Sequence, residues 1–327
     1  MKNNLLLITI GVVISFFSCS NKTESKEQKL VAINPLAYTN VVYSSQRDTV
    51  IVATYSGRIS KRIKNHTKEE LITNVNDEVY SLQYSKSKKL IFASTLNSGI
   101  LLIDYVNGEI LKTLEVDKGA WLNTIHLSTD ENYLVGFDTK GNNYAWDLNN
   151  NYKLIDISNE LPKAYVRYVD SQGNFYFQQH RKYIKWNQEQ GKIVKELNIT
   201  GRLVDIDKEN NLLFLGFNQF KKYNSDVDSI FLEKKHPYYL YRYGKKATDT
   251  SRIKMSLKLT DACWSEDKIF TTGIDKSIRV WNKKSGELLN EWNNTHNATI
   301  SSIDLSKDNN QLVSVDLKGG IHFWSID

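Results

Sequence analysis

The chain has 327 residues, of which 40% are hydrophobic and 24% charged, and this composition is that of a globular protein rather than a disordered or fibrous one. Its 43 basic and 37 acidic residues leave a formal charge of +6, an excess too small to predict nucleic-acid binding, for which Lys and Arg usually concentrate on one face. Two cysteines exclude a disulfide framework. Three prolines and eighteen tyrosines favour strands, because Tyr suits a half-buried pleated surface and Pro interrupts strand pairing.

The amino terminus has the features of an export signal. Lys2 supplies a basic end, and residues 5–17 form a predominantly apolar run without a charged residue. The run is shorter than the roughly 20 residues that cross a bilayer as a helix. We therefore predict a signal peptide over residues 1–18.

The residues after the apolar run predict a lipid anchor. Ser18 and Cys19 resemble the end of a bacterial lipobox, in which the cysteine is diacylated and becomes the first residue of the mature protein. Ordinary cleavage after Ser20 is the alternative. The polar residues that follow predict a flexible tether over 19–28, since they include no apolar side chain that could anchor them in a core.

Three short strands are predicted near the carboxyl terminus. Residues 269–273 are apolar and β-branched, residues 277–281 alternate and end in Trp, and residues 287–292 form a third run, with turn residues between them. This stretch closely resembles one blade of a WD-repeat β-propeller. The resemblance places Asp275 and Trp281 at the Asp and Trp of the family's consensus.

The end of the third strand recurs along the chain at spacings close to the 40–45 residues that one such blade takes. The seven positions are Ser60, Ile103, Trp146, Trp186, Tyr223, Trp281 and Trp324. The widest spacing predicts an insertion over about residues 224–259. We therefore predict an all-β fold over residues 29–327, a seven-bladed β-propeller of four-stranded blades.

Two features of the repeats carry structural expectations. The last blade ends at its third strand, so we expect an N-terminal strand at residues 30–33 to supply the fourth and to close the ring. Lys140 and Lys318 stand at the consensus Asp of two blades. We therefore expect the buried, Asp-centred hydrogen-bond network of WD-repeat proteins to be mostly absent.

The sequence offers little catalytic chemistry. It has no Gly-rich phosphate loop and no Cys/His cluster at zinc spacing, and its six histidines are scattered along the chain. Cys263 lies on a predicted first strand, where an inert buried thiol is expected. We predict a protein that is not an enzyme and that needs no cofactor or metal. A propeller hydrolase or lyase stays the alternative, because a propeller can bring distant residues together at its axis.

Loops between the second and third strands lie on one face of a propeller, and five of the predicted blades place cations there. These residues are Arg58, Lys140, Arg181, Lys182, Lys276 and Lys318. Their convergence predicts a site for an acidic partner or another anionic ligand. The alternative is that they are ordinary solvated loop cations.

Aromatic residues supply two further candidates. Trp121 directly precedes a first strand, where its side chain could reach the mouth of the central channel or pack in the core. Tyr239, Tyr241 and Tyr243 would share one face of an extended segment and suit a protein or sugar partner. The alternative for these tyrosines is an ordinary outer strand that packs on its blade.

Together these features predict a non-catalytic protein- or ligand-binding scaffold, monomeric and lipid-anchored in the bacterial cell envelope, with the outer membrane as its expected location. Its expected partners are other envelope proteins or an anionic ligand, and not nucleic acid. One such role resembles the propeller lipoprotein of the outer-membrane barrel-assembly machinery, a docking subunit. A surface glycan-binding lipoprotein is the alternative within this class.

Overall fold

The computed structural model describes residues 36–46, 48–157, 161, 163–242, 252–306, 308 and 310–326, except for the side chains of residues 238–242 and 252–255. Every regular element in these ranges is a β-strand, and the strands form separate antiparallel sheets that follow one another along the chain. The predicted all-β propeller is confirmed.

Each blade pairs its strands in chain order, from the central channel outwards. The first three blades are β1 (Tyr38–Tyr43), β2 (Thr49–Thr54), β3 (Arg58–Ile63) and β4 (Glu70–Asn74); β5 (Val79–Ser85), β6 (Leu90–Thr95), β7 (Ile100–Asp104) and β8 (Ile110–Leu114); and β9 (Leu122–Leu127), β10 (Tyr133–Asp138), β11 (Asn143–Asp147) and β12 (Lys153–Leu154). The fourth and fifth blades are β13 (Tyr165–Val169), β14 (Asn174–Gln179), β15 (Lys182–Asn187) and β16 (Lys192–Leu197); and β17 (Arg202–Ile206), β18 (Asn211–Leu215), β19 (Gln219–Asn224) and β20 (Ser229–Lys235).

A separate hairpin precedes the last two blades. It consists of β21 (Tyr238–Arg242) and β22 (Arg252–Ser256). The sixth and seventh blades are β23 (Leu259–Trp264), β24 (Lys268–Gly273), β25 (Ile278–Asn282) and β26 (Leu288–Trp292); and β27 (Ile300–Leu305), β28 (Gln311–Asp316) and β29 (Ile321–Ser325). All seven predicted third-strand positions lie in the third strand of a blade. The residues expected to give the seventh blade its fourth strand, 30–33, lie outside the described residues, so that expectation stays a prediction.

The ring closes through the innermost strands. The first strand of each blade packs against the first strand of the next, and β1 packs against β27. Second strands such as β2 and β6 are buried along their whole length, because each sheet is covered on both faces by neighbouring blades. This explains why they read as continuous apolar runs. Outer strands carry exposed apolar side chains, among them Leu111 and Leu289.

Part of the predicted insertion is regular blade. β20 is the fourth strand of the fifth blade and pairs with β19, so the extra residues are those of the β21–β22 hairpin. The outer-strand alternative for the tyrosine run is wrong for this reason: the outer strand is β20, and Tyr239 and Tyr241 lie on the hairpin.

A register irregularity interrupts the pairing of the first and second strands in every blade. The first strand is also the inner edge of its sheet, so its backbone N–H groups on that edge have no ladder partner within the blade. Side chains of the preceding blade accept several of the first-strand N–H groups: Asp261 accepts from Ile303 at 3.1 Å, and Asp304 accepts from Tyr43 at 2.5 Å. The second of these contacts joins the seventh blade to the first.

Candidate binding face

The turns between second and third strands share one face of the propeller with the connections that enter each first strand, because the strands of every blade are antiparallel and paired in order. We call this side the loop face. The β21–β22 hairpin joins the end of β20 to the start of β23, so it leaves the propeller from the loop face. The predicted cations, Trp121 and the tyrosine segment therefore belong to the same side of the molecule.

The predicted cations differ in how they are engaged. Arg58 pairs with Glu69 at 3.1 Å, and Lys182 pairs with Glu196 at 2.7 Å. The ammonium of Lys140 donates to the backbone carbonyl of Lys118 at 2.6 Å.

The remaining cations of the set are exposed to solvent, and no carboxylate among the described residues pairs with them or with Lys140. They are Arg181, Lys276 and Lys318. Fewer cations are therefore available to bind an anionic partner than the sequence predicts, because Arg58 and Lys182 are already paired with carboxylates.

Trp121 belongs to an arc of rings at the loop-face mouth of the channel. The ring centroids of Trp121 and Tyr80 are 6.1 Å apart, and those of Tyr80 and Tyr55 are 5.8 Å apart. The indole N–H of Trp121 donates to Asn123 at 3.0 Å. The Trp121 ring is partly exposed, and so are the rings of Tyr55 and Tyr80, so the arc presents aromatic surface rather than a sealed core.

A second group of rings continues the arc across the next blade. The centroids of Phe137 and Tyr165 are 5.2 Å apart, and the guanidinium of Arg167 lies 4.2 Å from the Phe137 ring. The sequence could have pointed to two of these rings by their position. Tyr80 and Tyr165 lie at the starts of first strands, close to the position that Trp121 occupies just before β9. Each is a strand-forming residue in its own right, however, and the sequence alone gave no reason to separate it from core tyrosines.

The predicted tyrosine segment begins on the β21–β22 hairpin. Tyr239 and Tyr241 lie on β21, so the extended backbone is observed, and the shared face of the tyrosines stays a prediction. Their side chains and all of Tyr243 lie outside the described residues.

The first strands of all seven blades line a central cavity of about 540 Å3. Asp205, Asp261 and Asp304 face it, and burial raises the pKa of each, that of Asp304 to about 6. Burial also raises the pKa of the Cys263 thiol, as expected for an inert cysteine. His126 faces the same cavity, and burial lowers its pKa to about 3.

These channel groups are engaged in holding the blades together. The phenol of Tyr168 donates to Asp205 at 2.8 Å, and Asp261 pairs with Arg202 at 3.2 Å. In the described part of the chain no three His, Cys, Asp or Glu side chains converge to hold a metal. The same residues include no helix that is long and apolar enough to cross a membrane.

A buried hydrogen-bond chain in the seventh blade corrects the expectation about the Asp network. Trp324 donates to Ser314 at 2.7 Å, Ser314 lies 2.7 Å from Nε2 of His296, and Nδ1 of His296 lies 2.9 Å from Asp316. Asp316 also accepts the backbone N–H groups of Lys318 and Gly320, both at 2.8 Å. The carboxylate comes from two residues before the consensus position, which Lys318 occupies.

The sixth blade reverses this arrangement. Gly273 stands where the seventh blade has Asp316, and the consensus Asp275 pairs with Arg279 at 2.7 Å. Arg279 in turn contacts His236, which lies 2.9 Å from Thr271. The third blade follows the seventh, with Asp138 accepting the backbone N–H of Lys140 at 2.9 Å. The expectation that the network is mostly absent is therefore wrong for these blades, because the carboxylate can enter from either position.

No protein-family model matches the chain. A stretch of 56 residues is 38% identical to Nuclear distribution protein PAC1 of Zygosaccharomyces rouxii. The match covers 17% of this chain and 13% of that protein, so the chain spans a small part of the relative's length.

The chain is a seven-bladed β-propeller, and its blades are similar to those of WD-repeat proteins. Its repeats keep the blade geometry of that class while the buried carboxylate shifts between two positions from blade to blade. The loop face combines the exposed cations that no described carboxylate pairs with and the aromatic arc.

Proposed function

We propose that the protein is a non-catalytic scaffold that binds another protein of the cell envelope on its loop face. One observation carries the proposal: the loop face brings together exposed cations from four blades, Lys140, Arg181, Lys276 and Lys318, and a partly exposed aromatic arc that includes Trp121. Aromatic rings at the centre of a patch with charges at its rim are the usual composition of a protein-binding surface.

The charges act chiefly on the rate of association. An exposed ion pair contributes only about 0–1 kcal/mol, but several cations on one face together attract an acidic surface before contact. Screening at physiological ionic strength acts over about 8 Å, so this attraction weakens with salt. The β21–β22 hairpin leaves from the same face and would provide a second area of contact.

The apolar run at residues 5–17 and Cys19 support a location for the scaffold. A lipid on Cys19 would tether the propeller to a bacterial envelope membrane, with the outer membrane as the proposed site. The tether over residues 19–28 would let the loop face reach a membrane-bound partner.

The test is capture of the partner from native envelope by the full-length chain, followed by mass spectrometry. The triple variant Lys140→Glu, Lys276→Glu and Lys318→Glu should associate with the captured partner at least several-fold more slowly at low salt. The difference should shrink at high salt, because the removed attraction is the screened one.

The matched control reverses three exposed lysines on the opposite face, Lys192, Lys208 and Lys284. This variant has the same net charge as the loop-face variant and should keep the rate of the unaltered protein at high salt. Equal slowing by both triple variants at every salt concentration would contradict the proposal, since it would mean that only net charge matters.

A further inference from the structure

Arg167 is placed by a bulge at the loop-face mouth of the channel. The pairing of β13 with β14 skips from Val166 to Tyr168, so Arg167 is the extra residue of the bulged strand. Its side chain lines the central cavity and lies against Phe137 of the third blade. Bulges commonly re-aim a side chain in this way.

The guanidinium of Arg167 is held in place without being neutralised. Its Nε donates to Gln178 at 2.9 Å, and its plane lies against Phe137, 4.2 Å from the ring centroid. Among the described residues no carboxylate pairs with it, and its terminal nitrogens have no acceptor. Burial lowers the pKa of Arg167, and the nearby Arg202 lowers it further. An arginine kept rigid, half-buried and unpaired has the features of an anion-binding group.

The charged groups around the channel mouth favour a ligand group that carries a single negative charge. Arg202 lines the same cavity, but its guanidinium is already paired: Nη2 donates to the Asp261 carboxylate at 3.2 Å and to the carbonyl of Thr260 at 2.9 Å. Deeper in the channel, Asp205 and Asp304 would repel a group of higher charge. A single carboxylate therefore fits better than a doubly charged phosphate.

We propose that Arg167 binds a carboxylate of an acidic peptide segment in the partner, seated at the loop-face mouth. The terminal nitrogens of the guanidinium form a bidentate pair with the carboxylate, while Phe137 and Tyr165 cover the neighbouring residues of the peptide. The exposed cations at the rim, Lys140 among them, favour the approach of the same acidic segment. The assignment rests on the proposed function and specifies its central contact.

The probes are two fluorescein-labelled peptide amides, one of alternating Glu and Phe and one with every Glu replaced by Gln. Anisotropy with the full-length chain should give a Kd at least tenfold lower for the Glu peptide. Arg167→Gln should weaken the Glu peptide at least tenfold and leave the Gln peptide within twofold. Arg62→Gln, the same change at an arginine near the end of β3 that is remote from the loop face, should weaken the Glu peptide less than threefold.

A measurement on the unaltered chain covers the case in which Arg167→Gln does not fold. Phenylglyoxal modifies accessible arginines, and the Glu peptide should slow modification of Arg167 at least fivefold while the partly exposed Arg62 reacts at an unchanged rate, as mapped by mass spectrometry. The Gln peptide should protect neither residue.

Three results would overturn the assignment: equal affinity of the two peptides, absence of binding by either, or reaction of Arg167 at the same rate with and without the Glu peptide. Tighter binding of a phosphoserine version than of the Glu peptide would replace the carboxylate by a phosphate. If Trp121→Ala weakens both peptides equally while Arg167→Gln weakens neither, the loop face remains the binding surface and only the carboxylate site fails.

Discussion

His126 lies on the first strand of the third blade, with its ring centroid 3.7 Å from that of Tyr168. Its Nδ1 is buried and has no hydrogen-bond partner among the described residues. Burial lowers the pKa of His126 to about 3 from its ordinary 6.5. Below pH 6.5 the unfolded chain therefore binds a proton that the folded protein excludes, and stability falls as the pH drops through this window.

We expect His126→Asn to reduce the acid sensitivity of the fold. His126 should account for a loss of about 1–2 kcal/mol in the free energy of unfolding between pH 7 and pH 5, and the variant should not show this part. Urea unfolding at the two pH values measures the difference. Asp304 acts in the opposite direction, because its raised pKa makes the folded state bind the additional proton, but that effect is common to both proteins and cancels. His66→Asn, a change at an exposed histidine, is the control and should leave the pH dependence unaltered.

Substitutions at Asp316 and Lys318 test which of the two positions supplies the buried stabilising group of the seventh blade. Its side chain accepts from His296 and from two backbone N–H groups. Asp316→Ala should lower the free energy of unfolding by about 2–4 kcal/mol, because it leaves buried donors without partners. Lys318→Ala changes the consensus position and should stay within about 0.5 kcal/mol, since that side chain is exposed. A larger loss of unfolding free energy for Lys318→Ala than for Asp316→Ala would mean that the consensus position, and not Asp316, stabilises this blade.

At the scale of strands, the seams between blades depend on side chains that reach from one first strand to the next. The same direction of contact recurs around the ring, from Ser81 to the N–H of Ile125 at 3.3 Å and from Asp261 to that of Ile303 at 3.1 Å. Each first strand is the inner edge of its sheet, which leaves these N–H groups available, and burial makes an unpaired one costly. The channel carboxylates are therefore structural even though they line the cavity.

Replacement of Asp261 should open only the two seams that its side chain joins, through Arg202 of the fifth blade and Ile303 of the seventh. In Asp261→Ala we expect the amide hydrogen of Ile303 to exchange at least tenfold faster with solvent, because its acceptor is gone. The amide of Tyr43, which Asp304 accepts at the next seam, serves as the internal control and should exchange at its original rate. Equal acceleration of both amides would mean that the ring opens as one unit instead.

For the molecule as a whole, the ring closes between the first and seventh blades. The described contacts there include Ser301 donating to the carbonyl of Tyr38 at 2.7 Å and Gln311 donating to Asp48 at 2.7 Å. A fourth strand from residues 30–33 would add a ladder to this seam. A chain that begins at Asn34 should then melt several degrees below one that begins at Lys29. Equal melting temperatures for the two chains would mean that residues 30–33 do not contribute to ring closure.

The anchor has a separate test. Cys19→Ala should move the protein from the membrane fraction to the soluble fraction of the periplasm, because the proposed lipid is the only link to the membrane that the sequence predicts. Cys19→Ser is a second variant that changes the thiol with little change in size and should behave in the same way. Retention of both variants in washed membranes would show that another feature holds the protein there.

Repeat spacing was sufficient to predict the architecture. Trp146, Trp186, Trp281 and Trp324 recur at nearly constant intervals, and a blade cannot bury its faces alone, so a repeat of this length implies a ring of neighbours. The number of blades follows from the number of repeats, and the order of strands in a blade follows from the alternation of strand and turn residues. Bulges are less visible in the sequence, because a bulged residue such as Arg167 differs from its neighbours only in where its side chain points.

What the sequence determined by its own pattern was the seven blades, their strands and the side on which the loop cations lie, because strand alternation and turn residues act over a few positions. Only the tertiary structure decided which groups meet. It placed Asp316 rather than Lys318 beside His296, paired Arg58 and Lys182 with carboxylates, and left Arg167 unpaired at the channel mouth. These contacts join residues on different strands and often different blades, and their partners are chosen by the curvature of the ring and the position of each bulge, which no local pattern encodes.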